Sequence, residues 1–147
     1  MEIEFKIDKN INETKVVIYS KEMNEEVKSL MNKLENCNTF ETIIGTSDDI
    51  NYILDLKDIE SFFTENSKVF ARKANKKYRI KKRMFELEEL LSDTSFVRIS
   101  NSEIVNFNKV DCLDVQGRIT IVLKFKSGEI TYVSRRYIRK IKEYLNI

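Results

Sequence analysis

The chain reads as an α+β protein, mostly antiparallel β-sheet, with helix confined to a few short segments. Three observations predict this. From residue 40 onward, apolar and polar residues alternate in short runs, the period of a strand with one buried face. Gln116-Gly117 and Ser127-Gly128 stand between such runs and mark tight hairpins. Helical spacing of apolar residues is restricted to 21–36, 83–92 and 135–145.

Taken in order, "EIEFKI" at 2–7 puts Ile3, Phe5 and Ile7 on one face and predicts a strand. "KVVIYS" at 15–20 predicts a second, more fully apolar one. Over 21–36, Met23, Val27, Leu30, Met31 and Leu34 form one stripe of a helix, most simply a core-facing stripe. Residues 1–39 thus form a strand–strand–helix unit, expected to pack on the rest and to serve dimerisation or regulation. Residues 40–147 form a second domain. Its strands fall at 40–46, 51–56, 58–63, 68–74, 77–82, 96–100, 103–107, 110–115, 118–125 and 129–134. "TENS" at 64–67, "NK" at 75–76 and "NS" at 101–102 supply turns. The helix at 83–92 turns Met84, Leu87, Leu90 and Leu91 inward.

The 147 residues carry a net charge of +2, which hides an asymmetry. Residues 1–50 hold 6 basic and 11 acidic side chains, a net of −5, and residues 51–147 hold 20 and 13, a net of +7. A basic half of this kind suits a polyanion. Hydrophobic residues make up 41%, enough for a core.

Absences exclude several chemistries. There is no histidine, so Ser-His and Cys-His nucleophiles and His-containing zinc sites are impossible. Asp48-Asp49 and Glu88-Glu89 are adjacent in sequence and cannot face one another as a catalytic carboxylate pair. No catalytic residue, metal ligand or cofactor site is expected. Cys37 and Cys112 lack metal-ligand spacing and read as free, buried thiols. No apolar run is long enough to span a bilayer and no signal peptide opens the chain, so a cytoplasmic protein is expected.

The basic charge clusters in two places. Residues 68–83 contain Lys68, Arg72, Lys73, Lys76, Lys77, Arg79, Lys81, Lys82 and Arg83 and no acid. Residues 135–142 contain Arg135, Arg136, Arg139, Lys140 and Lys142. Such density suits phosphate neutralisation, although lysines also serve to keep edge strands soluble. Ser134 reads as a helix N-cap, which puts Arg135 and Arg136 in a first turn where the helix dipole disfavours cations. An anion at that terminus would reverse the sign.

The stretches "FVRISNSEIVN" at 96–106 and "VSRRY" at 133–137, within a region covering roughly 42–147, resemble the LytTR DNA-binding domain of bacterial transcription regulators. The resemblance implies an elongated, mostly antiparallel β fold that reads DNA through loops in successive major grooves, with no recognition helix. It implies double-stranded DNA bearing paired, imperfect repeats as partner, and a homodimer at least on DNA. By position, Lys68, Ser100, Asn101 and Arg136 would read bases. Ser67 and Arg135, in those same loops, would meet phosphate, and charge density, apart from the resemblance, adds Lys76, Lys77, Lys81 and Lys82, with Arg98 and Arg139, as phosphate contacts. Some family members carry histidine where this chain has Ser100, which shortens the reach here. The chain resembles the short, stand-alone class without a receiver domain, some of which pair with an inhibitory membrane protein. The alternative is a protein–protein interaction module with no specific DNA readout, its acidic N-terminal unit binding a membrane or signalling partner.

Overall fold

The computed structural model describes residues 1–36, 41–117 and 120–147. The chain divides into two compact units, Met1–Asn36 and Cys37–Ile147.

In the first unit, helix α1 spans Glu25–Asn36. It starts four residues later than its apolar stripe suggested, because Asn24 caps it. The Asn24 side chain accepts from Val27 N–H at 3.0 Å, and its carbonyl accepts from Lys28 N–H at 3.0 Å. The segments 2–7 and 15–20 are not strands. Alternation prepares a strand face, but a strand also needs a neighbour for its backbone groups, and neither segment has one among the described residues. The stripe is less buried than expected as well: Met23, Met31 and Leu34 are exposed.

The second unit has the mostly antiparallel architecture expected. Ten strands build two sheets: β1 (Thr42–Ser47), β2 (Ile50–Asp55), β3 (Ser61–Glu65), β4 (Lys68–Lys73), β5 (Lys76–Ile80), β6 (Phe96–Ser100), β7 (Glu103–Asn106), β8 (Val110–Gln116), β9 (Thr120–Phe125) and β10 (Ile130–Val133). The larger sheet runs β2-β1-β5-β4-β3-β7-β6 and the smaller β10-β9-β8. Helix α2 (Met84–Leu90) and helix α3 (Ile138–Leu145) complete it, with 3-10 turns at Leu56–Asp58, Phe107–Lys109 and Arg135–Tyr137.

Three two-residue turns fix the larger sheet's register. Asp48-Asp49, Asn66-Ser67 and Ala74-Asn75 all have positive φ, the geometry whose twist matches paired strands. The turn after β4 is therefore 74–75, one residue earlier than "NK". Gly45 has a different role. A Cβ there would lie 2.7 Å from both Leu54 Cδ1 and Tyr78 Cβ, so only glycine lets those side chains close over β1.

Two cores result. One packs α2 residues Met84 and Leu87, with Leu91, against Ile43, Leu54, Phe62, Ala71, Ile80 and Ile104. The other packs Ile121, Leu123, Phe125, Val133, Ile138 and Ile141 against Val97, Ile99 and Val105. Strands β6 and β7 feed both cores from opposite faces, as strand alternation allows. A register shift between Val110 and Cys112 in β8 flips its alternation. That is why Cys112 is exposed, where the sequence predicted a free, buried thiol. Cys37 lies outside the described residues.

Candidate nucleic-acid interface

The β6–β7 connection is the centre of the candidate site. A bulge between Arg98 and Ser100 leaves Ile99 without a cross-strand partner. Its carbonyl accepts instead from Ser134 N–H at 2.9 Å. This bond lays the 133–137 stretch beside the turn at Asn101-Ser102. A second bond closes the pair: Tyr137 Oη donates to Asn101 Oδ1 at 3.1 Å. The β3–β4 turn joins them at the same end of the larger sheet, since Phe63 pairs with Glu103 and Thr64 N–H donates to Ser102 O at 2.8 Å. The two most family-like stretches of the sequence are thus in direct contact.

Arg98 holds the turn from inside. Its guanidinium donates to Ser100 O at 3.1 Å, to Asn101 O at 2.8 Å and to Glu88 Oε2 at 2.6 Å. Only 17% of its side chain is exposed. Glu88 also pairs with Lys140 at 3.6 Å, so one carboxylate on α2 ties the β6–β7 turn to α3. The asparagine of "EIVN" has a comparable role deeper down. Asn106 is buried, donates to Ile59 O at 2.9 Å, and accepts from Ser95 Oγ at 2.7 Å and Asn108 N–H at 3.1 Å. A buried amide with its groups matched in this way specifies one arrangement of its neighbours.

The other candidate residues separate into groups. Arg135, Arg136 and Asn101 are exposed, as are Ser67 and Lys68 on the β3–β4 turn. Val69 pairs with Ile80, so Lys81 and Lys82 leave β5 beside Lys68. Lys76 and Lys77 follow the turn at the opposite end of β4, about 17 Å away at strand rise. Lys77 is also engaged locally, 3.2 Å from Glu65 and 5.0 Å from the Phe70 ring centroid. The hydroxyl of Ser100 is turned into its own loop, accepting from Ser102 N–H at 3.3 Å. Arg139 pairs with Glu143 at 3.2 Å on the exposed side of α3, where Arg135, Arg139 and Lys142 line one shallow groove.

Arg135 and Arg136 sit in a 3-10 turn ahead of α3, not in the first turn of the α-helix. The Ser134 side chain makes no capping bond; its backbone N–H is what matters. Among the described residues, no carboxylate lies within 4 Å of either arginine, whereas nearby Glu65 and Glu88 are already paired. Glu103, at the base of the turn, accepts from Thr131 Oγ1. Burial raises its pKa, against the opposing pull of that hydrogen bond and of Arg72. With Glu65 and Glu88 paired, exposed Lys68, Arg135 and Arg136 leave the surface of this end positive.

Sequence reading missed Tyr137, Glu88 and Asn106 as organising residues. Tyr137 and Asn106 lay inside the quoted motifs, but their roles depend on partners 36 and 47 residues away. Nothing local marked Glu88.

This arrangement, a β platform presenting polar and basic loops at one end, fits the class of nucleic-acid-binding proteins. The LytTr DNA-binding domain family model matches residues 49–146, and the chain belongs to that family. An uncharacterized HTH-type transcriptional regulator of Staphylococcus aureus strain NCTC 8325 is 34% identical over 147 residues, 100% of this chain and 99% of the relative. A namesake from strain MRSA252 is 33% identical over the same shares. The LytTr DNA-binding domain of a methyl-accepting/DNA response regulator from Bacillus cereus superposes with TM-score 0.70 at 21% identity, covering 74% of this chain and 99% of that one. It shares the fold. In this chain α2 and α3 are separated by five strands, so they do not form a helix-turn-helix pair.

Proposed function

We propose that the chain is a sequence-specific transcription regulator that reads the DNA major groove through the loops at 66–68, 100–102 and 134–136. The observation that carries this reading is the pair of bonds from Ser134 to Ile99 and from Tyr137 to Asn101. They present Asn101, Arg135 and Arg136 as one edge. Arginine can bond guanine through two parallel contacts, and asparagine can do so with adenine.

Roles divide by geometry. Arg136, Asn101 and Lys68 face bases. Ser67, Lys81, Lys82, Arg135 and Arg139 meet phosphate. Arg98 and Ser100 shape the loop from within, since their polar groups are turned toward it. Lys76 lies outside the footprint, and the Lys77 ammonium is taken up by Glu65. A homodimer on paired repeats follows from the symmetry such sites require.

The test is a gel shift with DNA from the chain's own promoter region over a salt series. About six phosphate contacts should cost on the order of a thousandfold in affinity between 50 and 200 mM salt. Weak binding that is indifferent to DNA sequence would instead favour a protein–protein module.

A further inference from the structure

Strand β2 forms one edge of the larger sheet, with β1 its only strand neighbour among the described residues. Edge strands are normally blunted by lysine, proline or a bulge. β2, "INYILD", has neither lysine nor proline, and pairs with β1 without a break over all six positions. On its outward face Ile53, flanked by Asn51 and Asp55, is 74% exposed, and its cross-strand neighbour Ile44 is 53% exposed. The other edge is managed differently, since β6 carries a bulge and is bonded by Ser134.

We infer that β2 is a dimer interface, pairing antiparallel with β2 of a second copy about a two-fold axis at Ile53. Backbone geometry selects the residues that can bond. The Asp48-Asp49 turn closes on the Ser47–Ile50 pair. In such a hairpin that pair is hydrogen-bonded, and bonded pairs then alternate along the ladder. Ile50, Tyr52 and Leu54 therefore direct their backbone groups to β1. Asn51, Ile53 and Asp55 direct theirs to the open edge.

Side chains select the register. Centring on Ile53 sets Ile53 against its symmetry mate and Asn51 against Asp55 of the other copy. Ile44 and Ile53 of both copies then form one continuous apolar row. Asn51 already accepts from Thr46 Oγ1 at 2.8 Å, which leaves its NH2 to donate to the opposing carboxylate. Centring on Tyr52 would set Asp49 against Asp55, a like-charge pair directly opposed. Centring on Asn51 would set Ile53 against Asp49. Only one register matches backbone bonding, apolar contact and charge together. The inference does not depend on the DNA reading.

Sedimentation of the full chain, free of DNA at tens of micromolar, tests it together with two variants. The wild type should sediment as two chains and Ile53→Lys as one, which should still melt cooperatively as a folded chain because the side chain is exposed. In a background with Cys37 and Cys112 replaced by serine, Ile53→Cys should form an inter-chain disulfide on oxidation. Opposed Cα atoms in a bonded antiparallel pair lie about 5.5 Å apart, within disulfide range. Asn51→Cys, which faces Asp55 and not itself, should not cross-link. A wild-type monomer, a dimer that survives Ile53→Lys, or equal cross-linking from position 51 would overturn the interface. So would a monomer whose β2 edge amides are protected from exchange, which would give the edge to another segment of the same chain.

Discussion

Arg136 illustrates how a placement that is unfavourable alone would become useful in the proposed complex. It stands exposed in the turn leading into α3, where no acidic side chain occupies the helix's first turn. Cations near a helix amino end are disfavoured by some tenths of a kcal/mol. An ion pair with Glu103 or Asp111 would have offset this, but neither is formed among the described residues, and Glu103 takes the Thr131 hydroxyl instead. Arg136→Ala should therefore weaken cognate DNA by about 1–3 kcal/mol and flatten preference at one base position. Arg136→Lys should not rescue it, lacking the planar fork. Binding measured against single-base variants of the site checks this, and melting should be unchanged. Glu103 supports a prediction of its own. Its carboxyl holds a proton above the ordinary 4.5, where the unfolded chain has released it. The native state then binds more protons, so this residue's contribution to stability is greatest below about pH 4.5 and is lost as pH rises through the native pKa. Glu103→Gln should gain melting temperature relative to the parent on going from pH 4 to pH 7. An equal difference at both would count against the buried proton.

At the scale of elements, α2 supports the β6–β7 turn from behind through Glu88. Glu88 links Arg98 and Lys140, and Arg98 links the carbonyls of Ser100 and Asn101. The exposed loop is held by a largely buried guanidinium, so its shape is settled before binding and less ordering is needed on contact. Arg98→Ala leaves two carbonyls without this donor and the Glu88 carboxylate with Lys140 alone. It should cost about 2 kcal/mol of stability and weaken cognate DNA, while the slope of log affinity against log salt stays as in the parent. A residue that neutralises phosphate gives the opposite pattern, unchanged melting with the slope lowered by about one. Thermal melting and a salt titration on one variant separate these roles.

Across the second unit, strands β6 and β7 are shared between both cores, and the three loops emerge at one end of the larger sheet. The basic run 68–83 therefore cannot act as a single patch. The β4–β5 hairpin doubles it back, sending Lys76 and Lys77 to one end and returning Lys81 and Lys82 to Lys68. Lys81→Ala should weaken all DNA sequences about equally and lower the salt slope by about one, while Lys76→Ala should leave both affinity and slope unchanged. Equal effects from the two lysines would show that the footprint extends along the whole hairpin.

The sequence by itself determined the α+β class, the ten strands of the second unit, both of its helices and the family. These depend on local period and turn chemistry, and neighbouring residues encode both. It also marked the loops at 96–106 and 133–137, because their residue pattern is distinctive. Tertiary structure decided the rest. Residues 2–7 and 15–20 alternate like strands but lack partners, and pairing is not a local property. The bulges at Ile99 and Asp111 decided which way the following side chains face, exposing Cys112 and freeing the Ile99 carbonyl for Ser134. Arg98 looked like any other basic residue beside a turn. Only the approach of Glu88, ten residues earlier in the chain, turned it inward, because a guanidinium with three acceptors within reach stays with them and does not extend into solvent.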